Sequence, residues 1–227
     1  LAPFIAFLLS IAFNACQKDD TLPIDSYAYY PLELGQYQVY QVAETTYSAG
    51  QTAPVVKTWQ EKDEVSRIAE QSEFSTTYIV ARYTRNSEAD YWQKTKEYAI
   101  TKSPDKILTN LDNQTTFSLV FPVGSGLEWN GNLYNSQDPR KYHYEDIDQP
   151  LAIGDLSFDR SLTVVERRDS SLINKYIGIK QYGLGAGLVS DQQINYEYCQ
   201  DEACIGNYII ESGTHKTRTI LSYGNNL

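Results

Sequence analysis

Gln36-Tyr37-Gln38-Val39-Tyr40-Gln41-Val42 alternates polar and apolar side chains. A period of two marks a half-buried β-strand, because successive side chains point to opposite faces of the pleat. Thr77-Tyr78-Ile79-Val80-Ala81-Arg82-Tyr83 repeats the pattern, and Tyr91 to Ile100 follows it less cleanly. Further candidate strands are 53–60, 106–111, 116–121, 126–134, 140–147, 159–168, 172–182, 187–198, 205–211 and 217–223, with Gly, Asn, Asp or Pro between them. They recur roughly every 10 to 12 residues, the cadence of a sandwich or barrel. The expected fold class is all-β: an antiparallel β-sandwich or a half-open or closed β-barrel with few or no helices.

Helical signal is thin. Lys57 to Ser72 carries helix-favouring residues and places Val65, Ile68 and Ala69 at i, i+3 and i+4, without a wide apolar stripe. A short helix there competes with a strand pair joined by a charged loop. No fixed-period repeat occurs, and no linker divides 32–227, which reads as a single β-rich domain.

Composition narrows the function classes. The chain has 227 residues, which suits one domain. Nineteen Lys and Arg against 29 Asp and Glu leave a net charge of −10, which repels phosphate backbones and argues against a nucleic-acid partner. Nineteen Tyr favour strands over helices, and two His leave little room for His-based metal or triad chemistry.

Residues 1–15, LAPFIAFLLSIAFNA, carry no charge. The run is shorter than the roughly 20 residues a membrane-spanning helix needs. It fits the apolar core of a secretory signal peptide. The basic leader and an initiator Met are missing, and the chain contains no Met; Leu1 is read as a truncation point. A buried strand or helix of the mature fold is the competing reading.

Phe13-Asn14-Ala15-Cys16 resembles the lipobox of bacterial lipoproteins, with an apolar residue at −3, a small one at −1, then Cys. The resemblance implies that Cys16 is lipidated and becomes the first residue of the mature protein. Gln17-Lys18-Asp19-Asp20 is similar to the export signal of surface lipoproteins in Bacteroidetes-type bacteria. It implies a lipid anchor in the bacterial outer membrane on the cell surface, with the periplasmic face as the alternative. Asp20-Thr21-Leu22 resembles the O-glycosylation sequence of the same bacteria, which makes Thr21 a candidate modification site. Residues 16–31 then form the lipidated Cys and a polar tether, with Pro23 and Pro31 as breakers.

Cys199 and Cys204 flank Gln-Asp-Glu-Ala between two Tyr-rich alternating runs. The spacing predicts a disulfide stapling a hairpin base, as an exported protein permits. Free thiols, a redox pair or half a metal site are the alternatives. Tyr182-Gly-Leu-Gly-Ala-Gly-Leu-Val189 lacks dinucleotide-loop spacing and reads as a hairpin or bulge. Asn130-Gly131 predicts a tight turn with Trp129 on the core. In Tyr142-His143-Tyr144-Glu145-Asp146-Ile147-Asp148, a regular strand would put His143, Glu145 and Ile147 on one face; an acidic strand end is preferred there to a weak cation site.

No G-x-S-x-G elbow or H-E-x-x-H motif occurs. No catalytic, cofactor-binding or metal residues are assigned. The order of Tyr30-Pro31-Leu32-Glu33-Leu34-Gly35-Gln36-Tyr37, Phe121-Pro122, Trp129-Asn130-Gly131-Asn132, the Gly-rich run at 182–189 and Thr219-Ile220-Leu221-Ser222-Tyr223 resembles uncharacterised β-rich Bacteroidetes lipoproteins. The expected function is a non-enzymatic accessory or binding lipoprotein, with an envelope protein or a glycan as partner. The alternatives are a carrier or sensor of an apolar small molecule in a barrel pocket and, third, a carbohydrate-active hydrolase.

Overall fold

The computed structural model describes residues 25–226. Twelve strands follow one another: β1 Gln36–Tyr47, β2 Val55–Gln71, β3 Thr76–Arg85, β4 Gln93–Ser103, β5 Lys106–Leu111 and β6 Gln114–Val120, then β7 Glu128–Asn130, β8 Lys141–Ile153, β9 Leu156–Ser170, β10 Asn174–Gly183, β11 Gly187–Tyr198 and β12 Ile210–Asn225. They form one sheet in the order β6-β5-β4-β3-β2-β1-β12-β11-β10-β9-β8-β7. Every neighbouring pair is antiparallel. The chain is thus an up-and-down meander whose ends meet, with β1 and β12 paired from Gln36↔Asn225 to Tyr47↔Gly213.

The free edges of this sheet are β6 and β7, and side chains bring them together. The Phe117 amide donates to the Gly131 carbonyl at 2.9 Å, and Trp129 Nε1 donates to the Phe117 carbonyl at 2.8 Å. The Tyr144 hydroxyl donates to the Val120 carbonyl at 2.7 Å and accepts from the Val120 amide at 2.9 Å. These contacts satisfy groups that an open edge would leave unpaired. The result is a nearly closed twelve-stranded barrel. The all-β expectation holds, and of the two architectures the barrel is the one formed.

Individual elements differ from the periodicity. Lys57 to Ser72 falls almost wholly in β2, because β1 and β3 pair with it on both sides; cross-strand bonding overrides the helix-favouring composition. Two register shifts, at Val65/Arg67 and Ile68/Glu70, absorb its irregular pattern. The run at 126–134 contracts to Glu128–Asn130, since Gly131 to Arg140 forms a connection folded around Asn130. The Asn130 Oδ1 accepts from the amides of Asn132 at 3.1 Å and Arg140 at 2.9 Å. Trp129 is buried against Tyr142 and Tyr144, as the sequence implied. The run at 182–189 is the β10–β11 hairpin, with Gly185 and Gly187 at positive φ.

Alternation sends every second side chain inward. One core cluster joins Tyr29, Val65, Ile100, Leu119, Leu162 and Val164, among others. A smaller one joins Tyr40, Val42, Phe158, Val189 and Ile220. Each such side chain contributes about 1.5–3 kcal/mol on burial. The outward face carries ion pairs instead, Lys62–Glu64, Arg67–Glu97 and Arg168–Glu145 among them.

Residues 25–31, the end of the stretch read as tether, cap one end of the barrel. Ser26–Tyr29 is a single 3₁₀ turn, N-capped by the Asp25 carboxylate accepting from the Tyr27 amide at 2.9 Å. Tyr29 is buried and donates to Asp148. The Tyr27 ring packs tilted against Phe121, centroids 4.7 Å apart, and its hydroxyl donates to the Pro104 carbonyl, while the Ala28 carbonyl accepts from the Gly185 amide at 2.8 Å. Three Tyr in four positions give this segment apolar area that a solvated tether would leave exposed.

Two glycine substitutions separate steric from conformational need. A Cβ on Gly131 would lie 2.2 Å from the buried Tyr142 ring, so Gly131→Ala should destabilise by about 1–3 kcal/mol or more through overpacking. Gly154 has φ +57 with open space around it, so Gly154→Ala should cost only about 1 kcal/mol. Thermal unfolding of the two variants should rank them in that order, at about 2–4 °C per kcal/mol.

Candidate functional site

Charged residues occupy inward positions in the middle of the barrel. Asp63 on β2 and Arg82 on β3 are direct cross-strand partners. They share their face with Val65 and Val80, so the alternation that buries the valines buries the charges. Arg82 grips Asp63 in a two-pronged fork, Nε to Oδ1 at 2.6 Å and Nη2 to Oδ2 at 2.7 Å. Arg218 comes from β12 and donates Nη2 to the same Oδ2 at 2.7 Å, with its guanidinium 4.1 Å from the Tyr40 ring centroid. Tyr98 on β4 donates to Asp63 at 3.1 Å. Burial by itself would raise the Asp63 carboxyl, but Arg218 and Arg82 outweigh it and hold it down at about 2.

Glu61 completes this group. Its Oε2 lies 2.8 Å from Arg218 Nε and 3.5 Å from Arg82 Nη1. Glu61 Oε2 and Arg218 Nε are close in charge but not aligned as a hydrogen bond; both atoms are buried. Two guanidiniums therefore share two carboxylates. Such a network contributes little net stability, yet it is costly to break because each removal strands a buried charge.

A second group faces it from β9, β10 and β11. Lys180 Nζ donates to Glu166 at 2.6 Å. Gln193 Nε2 donates to Glu166 at 3.0 Å and to Asp191 at 2.8 Å. Burial would lower the Lys180 ammonium, but Glu166 and Asp191 outweigh it and keep it well above the ordinary lysine range. Gly178 makes room for this arrangement, since a Cβ there would meet Gln193 at 3.1 Å and Glu166 at 3.2 Å.

Between the two groups lies a cavity of about 390 Å³. Tyr30 from the capping segment and Leu32 just after it line it, together with the apolar Val65 and Ile100. Thr109, Ser118, Asp191 and Lys180 are among its polar lining residues. The exposed Gln114 also belongs to its wall, at the end of the barrel away from the cap. Tyr182 packs beside Tyr30 with ring centroids 5.8 Å apart. Burial pushes the Tyr182 hydroxyl well above its ordinary value, so it stays a neutral donor. That hydroxyl and Asp191 Oδ2 have no hydrogen-bond partner among the described residues, and both side chains face the cavity.

The arrangement can recognise a molecule by directed hydrogen bonds. Both oxygens of Glu166 are engaged, by Lys180 and Gln193. Asp63 is held ionised by two arginines and accepts their hydrogen bonds.

The residues singled out in the sequence lie elsewhere. Cys16, Gln17, Lys18, Asp19, Asp20 and Thr21 fall outside the described residues. Cys199 and Cys204 form the disulfide, with Cα atoms 5.8 Å apart. It closes a turn inside the 199–209 connection rather than the hairpin base, because β12 resumes only at Ile210. Gly206 and Tyr208 at positive φ lengthen that connection. Asp201 lies near both sulfurs, which are bonded to each other and not free to ligate. The acidic strand at 142–148 does not keep its alternation. Asp146 and Asp148 adopt left-handed backbone, Asp148 turns to Tyr29, and Glu145 is forked by Arg168 at 2.8 and 2.9 Å.

None of Glu61, Asp63, Arg82, Glu166, Lys180, Asp191 or Arg218 was marked by sequence motifs. One signal was available: Arg82 sits in phase with Val80, and Arg218 in phase with Ile220, so each occupies an apolar position of its own strand.

Two outcomes test this description. The folded Asp63 carboxyl lies below its ordinary 3.8. Its contribution to stability is therefore complete above about pH 4 and is lost as the pH falls towards 2. Urea midpoints across that window should fall less steeply in Asp63→Asn, which should also lose about 3–5 kcal/mol at neutral pH. Replacing both cysteines of the disulfide by Ser should cost about 2 kcal/mol or less, given the short loop it closes, with the far-ultraviolet circular dichroism unchanged.

In comparisons with known proteins, no family model and no curated sequence matches this chain.

Proposed function

We propose that the protein is a lipid-anchored, non-enzymatic envelope protein whose barrel binds a small molecule in its central cavity. The observation that carries this reading is the cavity itself. Its volume, about 390 Å³, falls within the range of small-molecule sites, and its polar groups are fixed before any ligand arrives. Prior ordering lowers the entropy lost on binding. The charge pairs in its wall favour a polar occupant over the apolar cargo considered from sequence. A partner protein or surface glycan remains the competing occupant of an accessory lipoprotein.

The anchor rests on Cys16 and the Gln17-Lys18-Asp19-Asp20 signal. The capped end of the barrel is the end where the described chain begins. An anchored barrel would turn that end towards the outer membrane and the Gln114 side of the cavity away from it. The disulfide agrees with an exported protein.

Native mass spectrometry of the full protein, taken from its own membrane in mild detergent, tests both parts. The expected result is a diacyl or triacyl mass on Cys16 and a small-molecule adduct released on unfolding. An unacylated chain overturns the anchor. A retained protein with no small molecule overturns the binding role in favour of an accessory subunit.

A further inference from the structure

We propose that the cavity ligand is a neutral, hydroxyl-rich molecule of monosaccharide size, held between Tyr182 and the Lys180, Asp191 and Gln193 side chains. The inference rests on the small-molecule reading above and names its ligand class.

Charge balance comes first. The charged residues that line the cavity or pair with those lining it are Arg82, Lys180, Lys216 and Arg218 against Glu61, Asp63, Glu166 and Asp191, four of each sign. Summed over these residues the charges cancel, so a ligand with net charge would gain no overall attraction, and it would lose its hydration on entry.

A hydrocarbon fits no better. It would cover Asp191 Oδ2, the Tyr182 hydroxyl and the unused protons of Lys180 without replacing their water. Each such loss costs about 1–3 kcal/mol, and more for a charged group.

What the wall offers is a matched set of donors and acceptors. Asp191 Oδ2 accepts, while Lys180 and the Tyr182 hydroxyl donate. Asp191 and Lys180 are cross-strand partners, so their heads emerge side by side. A vicinal diol supplies one hydroxyl to donate to the carboxylate and a neighbouring oxygen to accept from the ammonium. Leu32, Val65 and the Tyr30 ring also line the cavity and suit the C–H face of a sugar ring.

The test uses the full acylated protein in detergent, with thermal shift and titration calorimetry. The probes are glucose, galactose and N-acetylglucosamine as neutral sugars, glucose 6-phosphate as an anion, glycine betaine as a zwitterion and palmitate as an apolar ligand. At least one neutral sugar should stabilise the protein and bind better than every other probe. Asp191→Asn should weaken that sugar about tenfold or more, and Tyr182→Phe, which removes only the hydroxyl, about fivefold. A surface variant such as Glu88→Gln should leave the affinity unchanged. If glucose 6-phosphate, betaine or palmitate binds in place of the sugars, the ligand class is overturned and the small-molecule role stands. If no probe binds and the native protein carries no adduct, both are overturned.

Discussion

The pairing of β1 with β12 is the constraint on which the rest depends. It joins the two ends of the meander along twelve register pairs and turns a ribbon into a ring. Once the ring exists, the inward half of every strand shares one interior. The remaining gap, between β6 and β7, is small enough for Trp129 and Tyr144 to bridge with side-chain hydrogen bonds. Without the β1–β12 seam, Arg218 would sit on a terminal strand away from Asp63 and Glu61. Asp63 would then face Arg82 alone.

The interior combines two environments. Apolar side chains fill the end under the capping turn, where Tyr29 and Leu119 lie among them. Further along, ionised groups pair across strands that are far apart in sequence; Asp63 and Arg218 are separated by 155 positions. Desolvating so many charges yields little stability, and an all-apolar interior would be easier to build. The paired side chains place polar groups along the cavity wall.

The cap ties the cavity to the chain's N-terminal side. Tyr30 follows the 3₁₀ turn and lines the cavity, while Tyr29, its neighbour, is bonded to Asp148 on β8. The position of the cap and the shape of the cavity are thereby linked through adjacent residues. In a lipid-anchored protein, the stretch leading to the membrane would enter the same structure that contacts the ligand.

Strand content was legible in the sequence because a two-residue period is a local property. Gln36 to Val42 and Thr77 to Tyr83 show it with no knowledge of their neighbours. The disulfide was legible because its cysteines lie close in the chain, and the 182–189 hairpin because its glycines mark a turn. Lys57 to Ser72 was ambiguous because its propensity favours a helix and only pairing with β1 and β3 decides otherwise. The tyrosines at 27, 29 and 30 read as part of a tether because nothing local shows the barrel end they cover. Most of the cavity was hidden for the same reason. A charged residue in an apolar phase signals burial, but its partner lies on another strand, and register decides which. By itself the sequence determined that the chain makes alternating strands. The tertiary structure decided that they close into a barrel, and the β1–β12 pairing brings Arg218 to the Asp63–Arg82 pair.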